Sequence, residues 1–144
     1  MWSAGQRLKG YIDKGQEVTI LYLGDHDPSG IDMTRDVGDR TTIFTHWPQY
    51  APVTVKRIAL NMPQVEELSP PPNPAKLSDS RAGDYIARFG NESWELDALP
   101  PEYLDRLIRD EIDALINWDS WHRAVDYEEE CRRQLAEFAA QWED

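Results

Sequence analysis

Two aspartates, one residue apart, are the residues of this chain best suited to chemistry. Asp25 and Asp27 follow Val18–Leu23, an unbroken apolar and β-branched run that predicts a strand buried on both faces. Open α/β sheets bind ligands beyond the C-terminal ends of such strands. Two carboxylates at that position form an oxygen-rich site for a hard cation such as Mg²⁺ or Mn²⁺, which would hold phosphate oxygens during phosphoryl transfer.

Helix capping is the alternative explanation for part of this motif. Asp27 before Pro28 suits an N-cap followed by a first helical residue. Ser29 and Asp32 have the spacing of a capping box. Capping accounts for Asp27 or Ser29 but leaves Asp25 unexplained, so both interpretations stay open from the residues alone.

The elements that must position these carboxylates have a strand–helix–strand order. A short amphipathic helix is predicted over residues 2–14, with Gly15 at its end. A second helix is predicted from Pro28 to about Arg40, and a second strand over residues 53–60. This order predicts an α/β fold in which the run after Gly15 is the central strand of a parallel sheet.

The rest of the chain is predicted to be a proline-rich loop followed by helices. Residues 69–74 include four prolines, which exclude a helix or a central strand. Helices are predicted over about 80–89, from Pro101 onward, and along the final segment. We expect an α/β domain over residues 1–117 and an acidic helix over residues 118–144 packed on it.

The aspartate motif resembles a known family. The pattern Asp25-x-Asp27-Pro28-x-Gly30 after an apolar strand is similar to the Toprim domain of topoisomerases and primases, most of all to the A subunit of topoisomerase VI and its meiotic relatives. The likeness covers about residues 15–117. It continues in order through Lys56–Leu60, the proline-rich stretch, Lys76, Asp79 and Trp94–Leu99.

The resemblance implies a fold and a chemistry. The fold is α/β, a Toprim-like parallel sheet flanked by helices, here with a C-terminal helical extension. The chemistry is Mg²⁺- or Mn²⁺-dependent cleavage or transfer at phosphodiester bonds, as in a nuclease or a topoisomerase-type transferase. Asp25 and Asp27 would be the catalytic and metal-binding residues, and nucleic acid, DNA in the first place, would be the substrate.

The same resemblance implies parts that the chain does not supply. Toprim sites also use a glutamate after an earlier strand, which should precede the helix over residues 2–14, and Glu17 lies at the wrong end of its strand. The DNA-attacking tyrosine of topoisomerase VI belongs to a separate domain. We therefore expect an N-terminally truncated domain that is inactive as an isolated chain. A second copy in a homodimer, or an additional domain, would supply the missing catalytic residues; a degenerate site is the remaining alternative.

Candidate phosphate-binding residues lie near the motif and after the proline-rich loop. Ser29 follows the two aspartates, and Lys76 and Arg81 follow the loop. A loop held over the C-terminal edge of the sheet would bring these groups to a phosphate. The alternative is that the stretch after Lys76 is a helix N-terminus capped by Ser78 or Asp79.

Three further side chains lie close to these candidates or resemble catalytic groups by type. Glu95 is a candidate remote metal ligand within a predicted packing corner, in which Trp94 and Leu96 face inward. His26 is predicted to point away from the crevice as a packed or solvent-facing residue; the alternative is that it contacts a phosphate or donates a proton near neutral pH. Tyr85 falls on a predicted helix with no neighbouring base that would mark it as a nucleophile.

Composition excludes several classes of protein. The 144 residues are 40% hydrophobic and carry a net charge of −12, a globular composition that does not favour gripping nucleic acid by charge alone. The sequence has no signal peptide and no run of about 20 apolar residues, so we expect no membrane partner. The single cysteine, Cys131, excludes an internal disulfide and a thiolate zinc cage. A cytoplasmic protein is expected.

The C-terminal third is the most acidic part of the chain. Residues 101–144 contain 13 acidic and 5 basic side chains, which indicates a solvated helix face or, alternatively, a partner surface. Its tryptophan stripe indicates core packing or a dimer seam. A second function therefore stays open: a non-catalytic, Toprim-derived interaction module that binds a protein partner through this acidic helical end.

Overall fold

The strands and helices follow the predicted order along the chain. In a computed structural model, residues 2–45, 53–76, 78 and 80–142 are described, without the side chains of residues 44 and 45. These residues form a mixed α/β structure with six α-helices and two small sheets. The chain divides into two compact units, Met1–Ile108 and Arg109–Asp144. The packing of the last helix on the preceding domain stays a prediction.

The first unit contains a parallel strand pair, a short antiparallel pair and the helices between them. Its elements are α1 (Trp2–Ile12), β1 (Val18–Leu23), α2 (Pro28–Thr45), β2 (Val53–Ala59), α3 (Met62–Leu68), β3 (Asn73–Pro74), α4 (Ala82–Phe89), β4 (Glu92–Ser93) and a 3-10 turn at Leu96–Ala98. Helix α5 (Pro101–Asp113) crosses the division, and α6 (Trp118–Ala140) lies in the second unit.

The predicted ends of two helices are confirmed by backbone geometry. Gly15, after α1, has a φ of 76°, and Gly90, after α4, has a φ of 84°. Both values lie in the left-handed region, which glycine adopts without a Cβ penalty. Helix α2 is longer than predicted and continues past Arg40 to Thr45, where the Thr41 and Thr42 hydroxyls donate to carbonyl oxygens of the preceding turn.

Helix α3 is an α-helix that the sequence interpretation missed, as it also missed the two-residue strands β3 and β4. It starts with a capping box, in which the Gln64 side chain accepts the Asn61 N–H at 2.8 Å. The helix has seven residues and a proline in its first turn, so its apolar period is too short to stand out. The Asn61-to-Gln64 spacing was the available signal.

Strands β1 and β2 are parallel, as predicted. Val18 lies opposite Val53 and Tyr22 opposite Arg57, and a register shift then places Leu23 opposite Ala59. The prediction that β1 is a central strand buried on both faces is wrong for the described residues. Each β1 residue is half-buried, because β2 is the one strand paired with it there.

The hydrophobic core of the first unit lies beyond the ends of the two strands. Ala59, Leu60, Val65, Trp94 and Leu99 form its buried centre. Full burial of a side chain such as Leu60 contributes about 1.5–3 kcal/mol. The buried Trp94, with Leu96 packed against this cluster, confirms the predicted packing corner. The core therefore supports the loop that carries the two aspartates.

The second unit is dominated by α6. Asn117 caps this helix, since its side chain accepts a hydrogen bond from the Ser120 N–H at 3.0 Å. The helix has 23 residues and none of them is buried. Within the described part of the chain, no helix has both the length and the apolar character needed to cross a membrane.

Candidate functional site

The loop between β1 and α2 places Asp27 at the N-cap of α2. Its Oδ1 accepts the Gly30 N–H at 2.5 Å, and its carbonyl oxygen accepts the Ile31 N–H at 3.0 Å. Pro28 occupies the first helical position, where its missing N–H costs nothing. The capping interpretation is confirmed for Asp27, and it engages one of the two carboxylate oxygens.

Asp25 also binds a backbone amide, in a contact that local spacing does not predict. Its Oδ1 accepts the Leu96 N–H at 2.8 Å, across 71 residues of sequence. This bond ties the end of β1 to the 3-10 turn after Trp94. Asp25 therefore has a structural role as well, and its Oδ2 is the second oxygen that the carboxylate offers.

The backbone bridge between His26 and Trp94 determines which of the neighbouring side chains point to the same side of the two paired segments. His26 and Trp94 form an antiparallel bridge, with N–H···O distances of 2.8 Å and 3.0 Å. Side chains alternate along extended backbone, so those of His26 and Trp94 enter the core together. Asp25 and Asp27, on either side of His26, then share the opposite face with Glu95.

These acidic residues line a cavity of about 120 Å³. Lys76 also lines this cavity, so the cavity combines three carboxylates with one ammonium group. The other polar lining residues are Asn73 and Ser93. Asn73 contacts Glu95 at 3.5 Å through its side-chain amide. The structure thus brings together Asp25, Asp27, Lys76 and Glu95, four of the candidates named from the sequence.

Arg57 fixes the backbone beneath the aspartates, and the sequence interpretation gave it no role in the site. This half-buried side chain of β2 donates hydrogen bonds of 2.7–3.1 Å to four carbonyl oxygens, those of Gly24, Asp25, Gly30 and Leu60. It also lies over the Tyr22 ring, 5.4 Å from the centroid. Because its acceptors are backbone atoms, no residue pattern in the sequence reveals them.

Gly30 is required by the close approach of two backbone segments. A Cβ at this position would overlap the carbonyl oxygen of Asp25 and press on the Asp27 carboxylate. The glycine of the motif therefore lets α2 begin directly against the loop that it follows. Its carbonyl also accepts one of the Arg57 hydrogen bonds at 2.7 Å.

His26 packs in the core, as predicted, where it contacts Tyr85. Its Nδ1 lies 2.8 Å from the Tyr85 hydroxyl, and its ring packs edge-on against Phe89. Burial, followed by the nearby Arg57 charge, lowers the pKa of His26 below 6.5. Burial raises the pKa of Tyr85 to about 12. The sequence interpretation did not expect a ring nitrogen beside Tyr85, but the hydroxyl donates to the carbonyl oxygens of His26 and Glu92, so this phenol is held protonated and unsuited to nucleophilic attack.

Arg81 and Ser29 are not among the residues that line the cavity with Lys76. Arg81 contacts Asp32 at 3.3 Å and lines a different cavity of about 280 Å³, formed by residues of α2 and α4. It also occupies the N-cap position of α4, without a side-chain cap bond, and Asp79 is outside the described residues. Ser29 is half-buried at the second position of α2.

The donor set of the 120 Å³ cavity suits a hard cation only in part. Carboxylate oxygens are ligands that Mg²⁺ and Mn²⁺ accept, and Asp25 and Asp27 each engage one oxygen with a backbone amide. Among the described residues, no three His, Cys, Asp or Glu side chains are grouped closely enough to hold an ion together. The two aspartates therefore fit as a partial, weak site.

Comparison of the chain with protein-family models, with curated proteins and with solved structures finds no match.

Proposed function

We propose that the first unit is a Toprim-like, Mg²⁺-dependent nucleic-acid processing domain that acts on phosphodiester bonds in the cytoplasm. One observation carries this proposal. Asp25 and Asp27 follow a parallel strand directly and share one cavity with Glu95 and Lys76. An anionic pair beside a cation is the arrangement expected where a metal ion and a phosphate are bound next to each other.

The residues of the cavity have separate tasks in this proposal. Asp25 and Asp27 hold Mg²⁺ or Mn²⁺ through the oxygens that the backbone amides do not engage. Glu95 lines the same cavity and would add negative charge beside the ion without being a direct ligand, and Lys76 would bind a phosphate oxygen. The ion supplies stabilisation of charge on phosphate oxygens. Arg57 is a positioning residue, because it fixes both ends of the aspartate loop through their carbonyl groups.

The local architecture supports the Toprim-like assignment. A strand, an aspartate loop, a capped helix and a parallel second strand follow one another in the order that the resemblance implies. The close packing at Gly30 gives a physical reason for the glycine of the motif. Two carboxylates, with no activated nucleophile among the described residues of the cavity, are consistent with catalysis that requires groups from a second copy or another domain.

Calorimetric titration with MgCl₂ and MnCl₂ tests the metal site. The parent should bind either ion weakly, and Asp25→Asn with Asp27→Asn should abolish the binding. Asparagine keeps an Oδ1 acceptor for the backbone amides, so the cap and the loop are retained. The matched control is Glu66→Gln with Glu67→Gln, which removes the same charge from two exposed positions of α3. Undiminished binding by the aspartate variant would contradict the proposal.

The alternative function is an interaction module without catalysis. The observation that favours it is the exposure of large apolar side chains along α6, which catalysis in the first unit does not explain. The titration separates the two functions, since a module of this kind has no need of an ion at Asp25 and Asp27. A parent that binds neither Mg²⁺ nor Mn²⁺ favours the alternative.

A further inference from the structure

Helix α6 and the turn after it expose large apolar side chains towards both ends of the helix. Its large apolar side chains are 37% to 77% exposed, from Val125 at the lower limit to Trp142 at the upper. The helix is about 35 Å long for its 23 residues. Exposed apolar surface at both ends of one helix, separated by the Glu128–Arg132 ion pair, is typical of an interface.

The spacing of this face is that of a two-helix seam. Positions separated alternately by three and four residues form one stripe on a helix and the a and d sites of a coiled coil. In α6 and the turn after it, these seam positions are Trp118, Trp121, Val125, Glu128, Arg132, Leu135, Ala139 and Trp142. Six of the eight are apolar, and the two charged positions are at the middle.

When two copies of α6 run antiparallel, the seam positions of one copy are complementary to those of the other. Two antiparallel copies related by a twofold axis near residue 130 place Glu128 of each copy opposite Arg132 of the other. Moving outward, Val125 faces Leu135, so two branched aliphatic side chains meet. The next layer pairs the large Trp121 with the small Ala139, and the outermost pairs Trp118 with Trp142. Opposite charges and matched volumes therefore coincide in one register.

The flanking positions are consistent with the same register. Beside the seam, Ala124 faces Phe138 of the second copy, another small–large pair, and Cys131 lies beside its own symmetry mate. On the other side of the seam, Glu129 faces Glu129 of the second copy. This contact is repulsive, but it lies at an exposed edge where salt screens it. In a parallel pair, Glu128 would face Glu128 and Arg132 would face Arg132, so the charges at the centre favour the antiparallel arrangement.

The apolar area is sufficient for a specific dimer. Aromatic side chains bury about 150–250 Å² each when fully covered. Two copies contribute eight aromatic side chains from Trp118, Trp121, Phe138 and Trp142, each 44% to 77% exposed. Their coverage, with that of Val125 and Leu135, approaches the roughly 1,000 Å² that a biological interface requires.

We infer that α6 pairs with α6 of a second copy of this chain as an antiparallel two-helix interface. In the single chain, Glu128 and Arg132 form an exposed ion pair at 2.6 Å within the helix. In the dimer, each group also meets its opposite charge across the axis. The inference rests on residues of the second unit alone and is independent of the metal site.

Sedimentation velocity of the full chain, with single and mixed charge variants, tests the inference. The parent should dimerise. Glu128→Arg alone and Arg132→Glu alone each place like charges across the axis, so each should dimerise at least about tenfold more weakly. An equimolar mixture of the two single variants should form heterodimers, because each then supplies the charge that the other lacks. The double variant Glu128→Arg with Arg132→Glu should dimerise like the parent.

A control variant and a crosslinking experiment complete the test. Glu130→Arg changes the same charge on the opposite face of α6 and should leave dimerisation unchanged; circular dichroism should show equal helix content in all variants. In a Cys131→Ser background, Trp118→Cys should crosslink to Trp142→Cys on a second chain but not to itself. A monomeric parent, no rescue in the mixture, or Trp118→Cys self-crosslinking would overturn the antiparallel homodimer.

Discussion

Asp25 and Asp27 show how one carboxylate can serve both folding and a binding cavity. Each gives one oxygen to a backbone N–H, that of Leu96 or Gly30. The other oxygen is what either side chain can offer an ion. The sequence suggested a choice between capping and metal binding for Asp27, whereas its geometry is compatible with both. A side chain with two equivalent acceptors need not be assigned to one role.

His26 should make the folding stability depend on pH. Its pKa is lowered in the folded chain and lies near 6.5 when the chain is unfolded, so the unfolded state binds more protons between these values. The contribution is fully present above about pH 6.5 and is lost as the pH falls through the lowered pKa. Urea unfolding at a series of pH values between 7.5 and 5 should therefore show falling stability.

The histidine variants separate this effect from other titrations. His26→Gln should flatten the decline between pH 6.5 and 5, even if it is less stable than the parent at every pH. His122→Gln, at an exposed position of α6, should keep the parent's slope. A slope that His26→Gln leaves unchanged would show that another group titrates in this range.

At the scale of elements, Arg57 links two connecting segments of the fold through hydrogen bonds. Its guanidinium contacts the loop between β1 and α2 and the segment that leads from β2 into α3. Lysine carries the charge but not the planar fork, so it cannot reach all four carbonyl groups. Buried carbonyl groups that lose their donor destabilise the folded state.

The expected result for Arg57→Lys is a loss of about 2 kcal/mol or more in the free energy of unfolding. Arg40→Lys is the matched control, because Arg40 makes an exposed ion pair with Asp36 on α2. That control should change the unfolding free energy by less than about 0.5 kcal/mol. Urea denaturation followed by tryptophan fluorescence measures both. Equal effects of the two variants would contradict the role assigned to Arg57.

The predictable elements are those with a strong local signal. The apolar run of β1 and the glycines after α1 and α4 each carry such a signal, and each was predicted within a few residues. The site was predictable where side chains follow a strand directly, as Asp25 and Asp27 do. It was not predictable where Arg57 binds backbone carbonyl groups or where the bridge at Trp94 sets which side chains share a face. Such contacts arise from tertiary structure and leave no spacing in the sequence.

At the scale of the whole molecule, charge and incomplete chemistry should keep the isolated chain inactive on DNA. The net charge of −12 repels phosphates. The cavity offers two aspartates as metal ligands. Tyr85, with its pKa raised to about 12, is not an activated nucleophile. We expect no nicking or relaxation of supercoiled plasmid by the purified chain with Mg²⁺ or Mn²⁺.

Agarose electrophoresis of the plasmid, with Asp25→Ala purified in parallel, checks this expectation. The variant shares any contaminating nuclease with the parent, so only a difference between the two reports on the site. Nicking by the parent that the variant lacks would contradict the prediction. It would also show that Glu95 or another group of the cavity completes the chemistry without a second component.

The two backbone amides bound by Asp25 and Asp27 have an evolutionary consequence. A descendant of this chain that lost its enzymatic task would still need a cap for α2 and a tie to the Leu96 amide. It would also still need glycine at position 30, where a side chain would clash. Purifying selection on folding alone would then preserve the Asp-x-Asp-Pro-x-Gly signature. Among such descendants, Lys76 and Glu95, whose side chains bind no backbone amide among the described residues, should drift first and mark the loss of activity.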